Sequence, residues 1–310
     1  MTMRVKARVR AVVGAALCVF AVASCSRNNI EAVNLSNEAD KSRGGNLDDA
    51  ISKYEQATTL DPTNHRILWK LATAYQKKEA WEKVTSTLTK AQKLAPTYAD
   101  YFYLDGYARE QVASSPKGSA NWADAKEPLL QAIKLDPNMA DPNFELGEIL
   151  LHLDDEQGAL QNYTDAVNKK PDELAFYGPL AELYIRLGYY DQADQVLKEA
   201  LNYKKDGDKQ AFVIYSLLGW VKEIKGDVPG SITDFESAKK ACGQCNEKGQ
   251  QIAFFNLGAA YSKANPPRKN EAIQQLAAFQ KTVCKGGAAA KYSDECSQAQ
   301  EIVKQLGGTL

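Results

Sequence analysis

The sequence predicts an all-α fold, a solenoid of about seven stacked helical hairpins closed at its C-terminal end by a capping helix. Three observations lead there. From Glu31 onward the chain is rich in Ala, Leu, Lys, Gln and Glu, with apolar residues recurring at spacings of three and four, the period of one buried helical face. No stretch of useful length alternates Val, Ile or Thr with polar residues, so a sheet has nothing to be built from. The third observation is a repeat of 34 residues, the mark of a stacked array. With 310 residues, 44% of them hydrophobic and 25% charged, the chain has the balance of an ordered protein.

The first 24 residues stand apart from the rest. Arg4, Lys6, Arg8 and Arg10 make a basic start, and Ala11 to Ala23 is an apolar run with no charge, the order of a signal peptide and too short for a comfortable membrane span. The run ends in Val22-Ala23-Ser24-Cys25, which resembles the bacterial lipobox. That resemblance implies removal of residues 1–24, acylation of Cys25 and a short tether over 25–30. Ser26, where an Asp would signal retention at the inner membrane, implies anchoring at the outer membrane facing the periplasm, with display on the cell surface as the alternative. Losing four positive charges and no negative ones moves the net charge from −1 to −5. No basic stripe is left to neutralise phosphates, so a nucleic-acid partner is not expected.

The repeat is legible on its late proline. "NLDDAISKYEQATTLDPTN", "AWEKVTSTLTKAQKLAPTY", "NWADAKEPLLQAIKLDPNM" and "DEQGALQNYTDAVNKKPDE" place Pro62, Pro96, Pro137 and Pro171 after a helix whose small residue (Ala57, Ala91, Ala132, Ala166) lies five places back. Upstream partner helices carry Leu71, Leu146, Leu180, Leu218 and Leu257, mostly followed by Gly or Ala. This pattern resembles the tetratricopeptide repeat family over residues 31–285. The resemblance implies a right-handed solenoid in which small residues at repeat positions 8, 20 and 27 admit close backbones and large ones at 4, 7, 11 and 24 fill the space between. Residues 65–98, 140–173, 174–207 and 212–245 fit without gaps. Residues 31–64 have a poor first helix, 99–139 carry extra residues around "SSPKGSAN", and 246–285 have a slightly enlarged turn. Tyr75, Tyr163, Tyr184 and Phe235 are expected in the core. A last helix from about Ser293 to Leu306, stopped by Gly307 and Gly308, is expected to cap the stack within residues 286–310.

Four cysteines follow Cys25: Cys242, Cys245, Cys284 and Cys296. An exported chain with an even set favours disulfides. The Cys242-x-x-Cys245 spacing also suits a redox pair, but the repeat phase sets it after a second helix, where the dipole disfavours a thiolate. An all-cysteine zinc site is the other alternative, the two histidines being distant in sequence. Three pairings are open; because the ends of second helices in adjacent repeats share an edge, Cys242 or Cys245 is expected to approach Cys284, with Cys296 arriving on the cap.

The resemblance further implies that positions 2, 5, 9, 12 and 13 of each first helix line a concave groove. Carried onto this sequence, they give Trp69 and Gln76; Tyr103 and Tyr107, with Leu104 as an alternative position 7; Phe144, Glu148, Leu151 and His152; Glu182, Ile185 and Arg186; Trp220 and Glu223; and Phe255 and Lys263. Such a surface suits an extended or helical peptide whose apolar side chains are desolvated while charges set its register. The Lys/Asn clamp that some family members use for a terminal carboxylate is absent. The loop "VASSPKGSANW" is a second candidate surface. No Ser/His/Asp grouping, glycine-rich phosphate loop or metal motif is present, so no cofactor, metal or catalytic residue is expected. The expected function is a non-enzymatic, lipid-anchored scaffold for protein or peptide partners of an envelope machine, the class that includes pilotin-like and gliding-motility lipoproteins. A thiol-disulfide oxidoreductase using Cys242 and Cys245 and a purely structural envelope protein are the alternatives.

Overall fold

Two stop signals, used in turn, cut the chain into hairpins. The first is the proline: its ring crowds the preceding residue out of the helical region. Asp61 (φ −131°, ψ 81°), Ala95 (φ −141°, ψ 73°) and Asp136 (φ −133°, ψ 93°) are accordingly extended just before Pro62, Pro96 and Pro137. Asp61 also holds its turn, accepting from the Thr63 hydroxyl at 2.9 Å and from Asn64 Nδ2 at 3.2 Å. The second signal is one left-handed residue: Glu79 (φ 56°), Asp154 (φ 60°), Gly188 (φ 79°) and Gly226 (φ 78°). After each, an N–H reaches five residues back, as from Ala80 to the Tyr75 carbonyl at 3.0 Å and from Tyr189 to the Tyr184 carbonyl at 2.8 Å.

The computed structural model describes residues 27–115, 121–285 and 289–309. The signal peptide over 1–24, Cys25, Ser26 and the centre of the 112–122 loop lie outside the described residues. All regular structure among the described residues is helical, and no helix there is long and apolar enough to cross a membrane. The chain divides after Asp155 into two compact units. Unit 1 holds α1 (27–42), α2 (Leu47–Leu60), α3 (His65–Lys77), α4 (Trp81–Leu94), α5 (Ala99–Ser114), α6 (Ala123–Leu135) and α7 (Asp141–His152). Unit 2 holds α8 (Glu156–Lys169), a short 3-10 turn (Leu174–Phe176), α9 (Tyr177–Arg186), α10 (Tyr190–Tyr203), α11 (Ala211–Ile224), α12 (Val228–Cys242), α13 (Ile252–Lys263), α14 (Lys269–Phe279) with a π turn (Gln280–Cys284), and α15 (Ser293–Gln305). Consecutive helices pack in pairs within each unit, the α-solenoid architecture that the sequence predicts.

Every second helix buries the same three places of its repeat. Position 20 is Ala50, Val84, Ala125, Ala159, Ala193, Ser231 and Ala272; position 27 is Ala57, Ala91, Ala132, Ala166, Ala200, Ala238 and Phe279; all are buried. Between them stand the large residues of position 24: Tyr54, Leu88, Leu129, Tyr163, Leu197, Phe235 and Leu276. The first helix makes room for that residue at position 8. A Cβ on Gly106 would stand 2.6 Å from Leu129, one on Gly219 2.6 Å from Phe235, and one on Gly258 2.7 Å from Leu276. The contact also fixes the phase of α5: Gly106 is position 8, so Asp105 and not Leu104 is position 7. Asp105 is buried there because Arg109 Nε at 3.1 Å and Gln92 Nε2 at 3.1 Å satisfy its carboxylate.

Two expectations change. Residues 27–30, expected as tether, are already in α1, which is a full first helix. It buries Ala32, Ser36 and Ala39 one place off the repeat phase, and this offset hides it in the sequence. The cysteines also pair locally. Gly243 (φ 61°) and Cys245 (φ 53°) fold the chain back under α12, so Cys245 meets Cys242 with Cα atoms 4.7 Å apart instead of reaching Cys284. Cys284 pairs with Cys296, 5.7 Å away between Cα atoms, and fastens α15. There Ala299 and Val303 bury against Leu276, Phe279 and Val283, and the helix ends on Gly307 (φ 81°) with the Gly308 N–H bonded to the Val303 carbonyl at 2.9 Å.

Gly219→Ala is expected to lower stability by about 1–2 kcal/mol in denaturant melts, because the Cβ meets the Phe235 ring. Adding Phe235→Leu recreates the Ala72/Leu88 combination and recovers part of the loss. For Cys284→Ser/Cys296→Ser the expected loss is about 3 kcal/mol, from the 12-residue separation it releases, with faster amide exchange confined to α15.

Candidate functional site

In unit 1 the groove row begins with Trp69 on α3, and the fold uses that ring. It stacks on Tyr101 of α5 at 5.1 Å and 29°, and Tyr101 stacks on Tyr98 at 5.1 Å. His65 Nδ1 is 2.8 Å from the Tyr101 hydroxyl, so the group forms an aromatic joint between consecutive repeats. Trp69, half-buried in this joint, is a packing residue. His152 is engaged likewise, stacked on Trp122 at 3.7 Å.

Tyr103 and Tyr107 lie one turn apart on α5, ring centroids 6.4 Å apart, and Tyr107 meets Trp81 edge-on at 5.6 Å. Gln76, Lys77, Glu79, Trp81, Tyr107 and Gln111 surround an open cavity of about 620 Å³. On the other side of the tyrosines, α5 and α7 bring carboxylates together. Glu110 is buried, with Oε2 lacking any hydrogen-bond partner among the described residues. Glu145 interacts directly with Glu110, and Glu148 and Asp141 add like charge. Burial pushes both carboxyls above the usual range, Glu145 to about 9; the charge of Glu110 adds to it at Glu145 and that of Glu148 at Glu110, while the hydrogen bond with Glu145 holds Glu110 back. Tyr103 and Tyr107 are pushed up as well, by burial and then by Glu145. Glu148 and Phe144, expected in the row, are half-buried on α7 beside this group.

Unit 2 carries a second cavity, of about 340 Å³. Its walls include Trp220 and Ser216 of α11, Phe255 and Asn256 of α13, and Gln298 and Ile302 of the cap. Trp220 is 48% exposed, more than any other tryptophan or phenylalanine among the described residues. Phe255 is shared with packing, 5.4 Å from Phe279, and Glu223 is ion-paired with Lys263 across α11 and α13. Glu182 is exposed on α9. Cys245 is buried against Phe212, Ala238 and Ala253, beside Cys242, so the disulfide closes a small core.

Three family models match the chain: one described as TPR repeat over residues 43–79, and two described as tetratricopeptide repeat over 118–174 and 154–212. The matched hairpins are tetratricopeptide repeats. Among solved structures, the chain is similar to MamA protein at 25% identity (TM-score 0.50; 56% of this chain and 91% of that one). A C-terminal part of a TPR repeat-containing protein from Cytophaga hutchinsonii is 15% identical (TM-score 0.59; 77% and 87%), and Pseudomonas aeruginosa PilF is 14% identical (TM-score 0.55; 69% and 92%). The last two likenesses establish the fold alone. No curated protein matches the sequence.

The 34-residue repeat phase shows which site residues the sequence could disclose. Glu110 occupies position 12 of its repeat, a position of the expected groove row, yet the row as read from the sequence left it out; the phase of α5 is the signal that finds it. Glu145 occupies position 6, outside the row, and only the packing of α7 on α5 brings it to Glu110.

A carboxyl held above its unfolded range binds its proton more tightly in the folded chain, so the folded chain loses stability as pH rises from the unfolded value towards the folded one. Glu145→Gln is therefore expected to raise the melting temperature at pH 8 and to leave it unchanged near pH 4, as read by thermal unfolding across pH.

Proposed function

We propose that this chain is a non-enzymatic scaffold, tethered to the outer membrane through acylated Cys25 and facing the periplasm, that holds extended segments of protein partners in its tetratricopeptide groove while an envelope machine assembles. The observation that carries the reading is Trp220. A tryptophan left half in solvent on a groove position, in a cavity walled by Phe255 and Ile302, gains from being covered by a partner's apolar side chain. The lipobox-like Val22-Ala23-Ser24-Cys25 supports the anchor. A pilus or secretin assembly, or a motility complex, is the kind of machine proposed. The likeness to PilF, at 14% identity, is one of fold and adds nothing to the choice between them.

The test is a pull-down of the tagged protein from gently solubilised envelopes, wild type against Tyr107→Ala/Trp220→Ala. Trp69 is left in place because its loss would break the joint with Tyr101. A partner captured by wild type and lost from the double variant, with helicity unchanged by circular dichroism, is the expected result. Retention of every partner would place binding elsewhere or make the protein purely structural. Cys25→Ser is expected to abolish palmitate labelling and to move the protein to the soluble fraction.

A further inference from the structure

Glu110 presents a problem of charge compensation. Glu110 is 8% exposed, and although its carboxyl shares a hydrogen bond with Glu145, Oε2 is buried with no hydrogen-bond partner among the described residues. A buried charged group in that state costs several kcal/mol when ionised unless a counter-charge meets it. The acids that act on the Glu110–Glu145 pair have the wrong sign for a counter-charge, Glu148 and Asp141 on α7, and Glu79 in the turn before α4 acts on Tyr107. Arg109, one residue away on α5, is engaged with buried Asp105 at 3.1 Å. Neither Glu110 nor Glu145 has an ion pair with a Lys or Arg among the described residues. Elsewhere α3 and α4 do pair their charges, as Lys70 with Asp40 at 2.6 Å and Lys83 with Glu55 at 3.9 Å, so the lack is local.

The chemistry of the occupant follows from the walls. Two tyrosine rings flank the carboxylates on α5, and aromatic faces beside carboxylates suit an organic cation with an apolar stem. No three His, Cys, Asp or Glu side chains among the described residues are grouped so as to hold a metal ion. We propose that α5 and α7 of unit 1 take a lysine or arginine side chain of an extended protein partner, its stem against Tyr103 and Tyr107 and its head on Glu110 and Glu145. The proposal rests on the reading of the groove as a partner site and adds the polarity of the segment recognised: basic, where the better-known clamp of the family takes a carboxylate.

Entry of the cation has a proton cost. The Glu110–Glu145 pair holds a proton between like charges; the partner's ammonium or guanidinium replaces it, and the proton leaves to solvent. Affinity therefore rises with pH while the free protein still holds that proton, by up to about tenfold per pH unit for one proton released.

A random dodecapeptide library displayed on phage is selected against the full-length protein, against Glu110→Gln/Glu145→Gln and against Tyr107→Ala/Trp220→Ala. The neutral isosteres remove a buried like-charge contact, so the first variant is expected to fold at least as well as wild type, as checked by thermal unfolding. The expected result is a wild-type pool enriched in Lys and Arg, with that enrichment lost on the glutamine variant. Isothermal titration of one selected peptide at pH 6, 7 and 8, in two buffers of different ionisation enthalpy, should then show proton release in wild type and none in the glutamine variant. A pool without basic enrichment, or one bound equally by wild type and the glutamine variant, overturns the cation site. If such a pool is still lost on Tyr107→Ala/Trp220→Ala, the groove reading stands alone; if it is retained there, or if no peptide is enriched at all, both readings fall.

Discussion

The structure depends on one contact, the small residue of a first helix lying under the large residue of its partner. With no Cβ at Gly106, Gly219 and Gly258, the side chains of Leu129, Phe235 and Leu276 come close to the facing backbone, and the two helices pack near enough to bury positions 20 and 27 as alanine or another tightly packed residue. Close-packed interiors leave no slack for a methyl group at such a point. Once the separation is set within a hairpin, the next hairpin has one surface to pack on.

That economy decides which side chains are free for partners. Trp69 and Trp220 stand at groove positions of equivalent repeats, yet the first is consumed in a stack with Tyr101 and Tyr98 while the second is left half in solvent. Position in the repeat gives the direction of a side chain; its neighbours decide whether it has work to do in the fold. Glu223, paired with Lys263, stabilises the stack and fixes the edge of the Trp220 cavity, though at the surface such a pair contributes no more than about 1 kcal/mol. Glu110 and Glu145 are the opposite case, two acids held together against their own repulsion, at a cost the fold has no need to bear for its own stability.

The C-terminal end shows how a stack is finished. A repeat array frays where its last hairpin has no neighbour. Here α15 covers Leu276 and Phe279, Cys284–Cys296 ties it down, and Gln280 Nε2 donates to the Cys296 carbonyl at 2.6 Å. The cap also contributes Gln298 and Ile302 to the Trp220 cavity, so closing the stack also completes the wall of that cavity.

The sequence by itself determined the helical class, the proline stops, the buried positions 20, 24 and 27, and the cap with its glycine end. All of these are local or periodic: a residue before proline, or an alanine every 34 places, carries its meaning wherever the chain goes. Tertiary structure decided what depends on two distant segments meeting. It set the phase of α5 through Gly106 and Leu129, and revealed α1 behind a one-residue offset. It chose the local pairing Cys242–Cys245 through the turn at Gly243, where the edge geometry suggested a bridge to Cys284. It also brought Glu145, outside any groove row, to Glu110, because burial and charge proximity are properties of the packed pair and neither residue carries them alone.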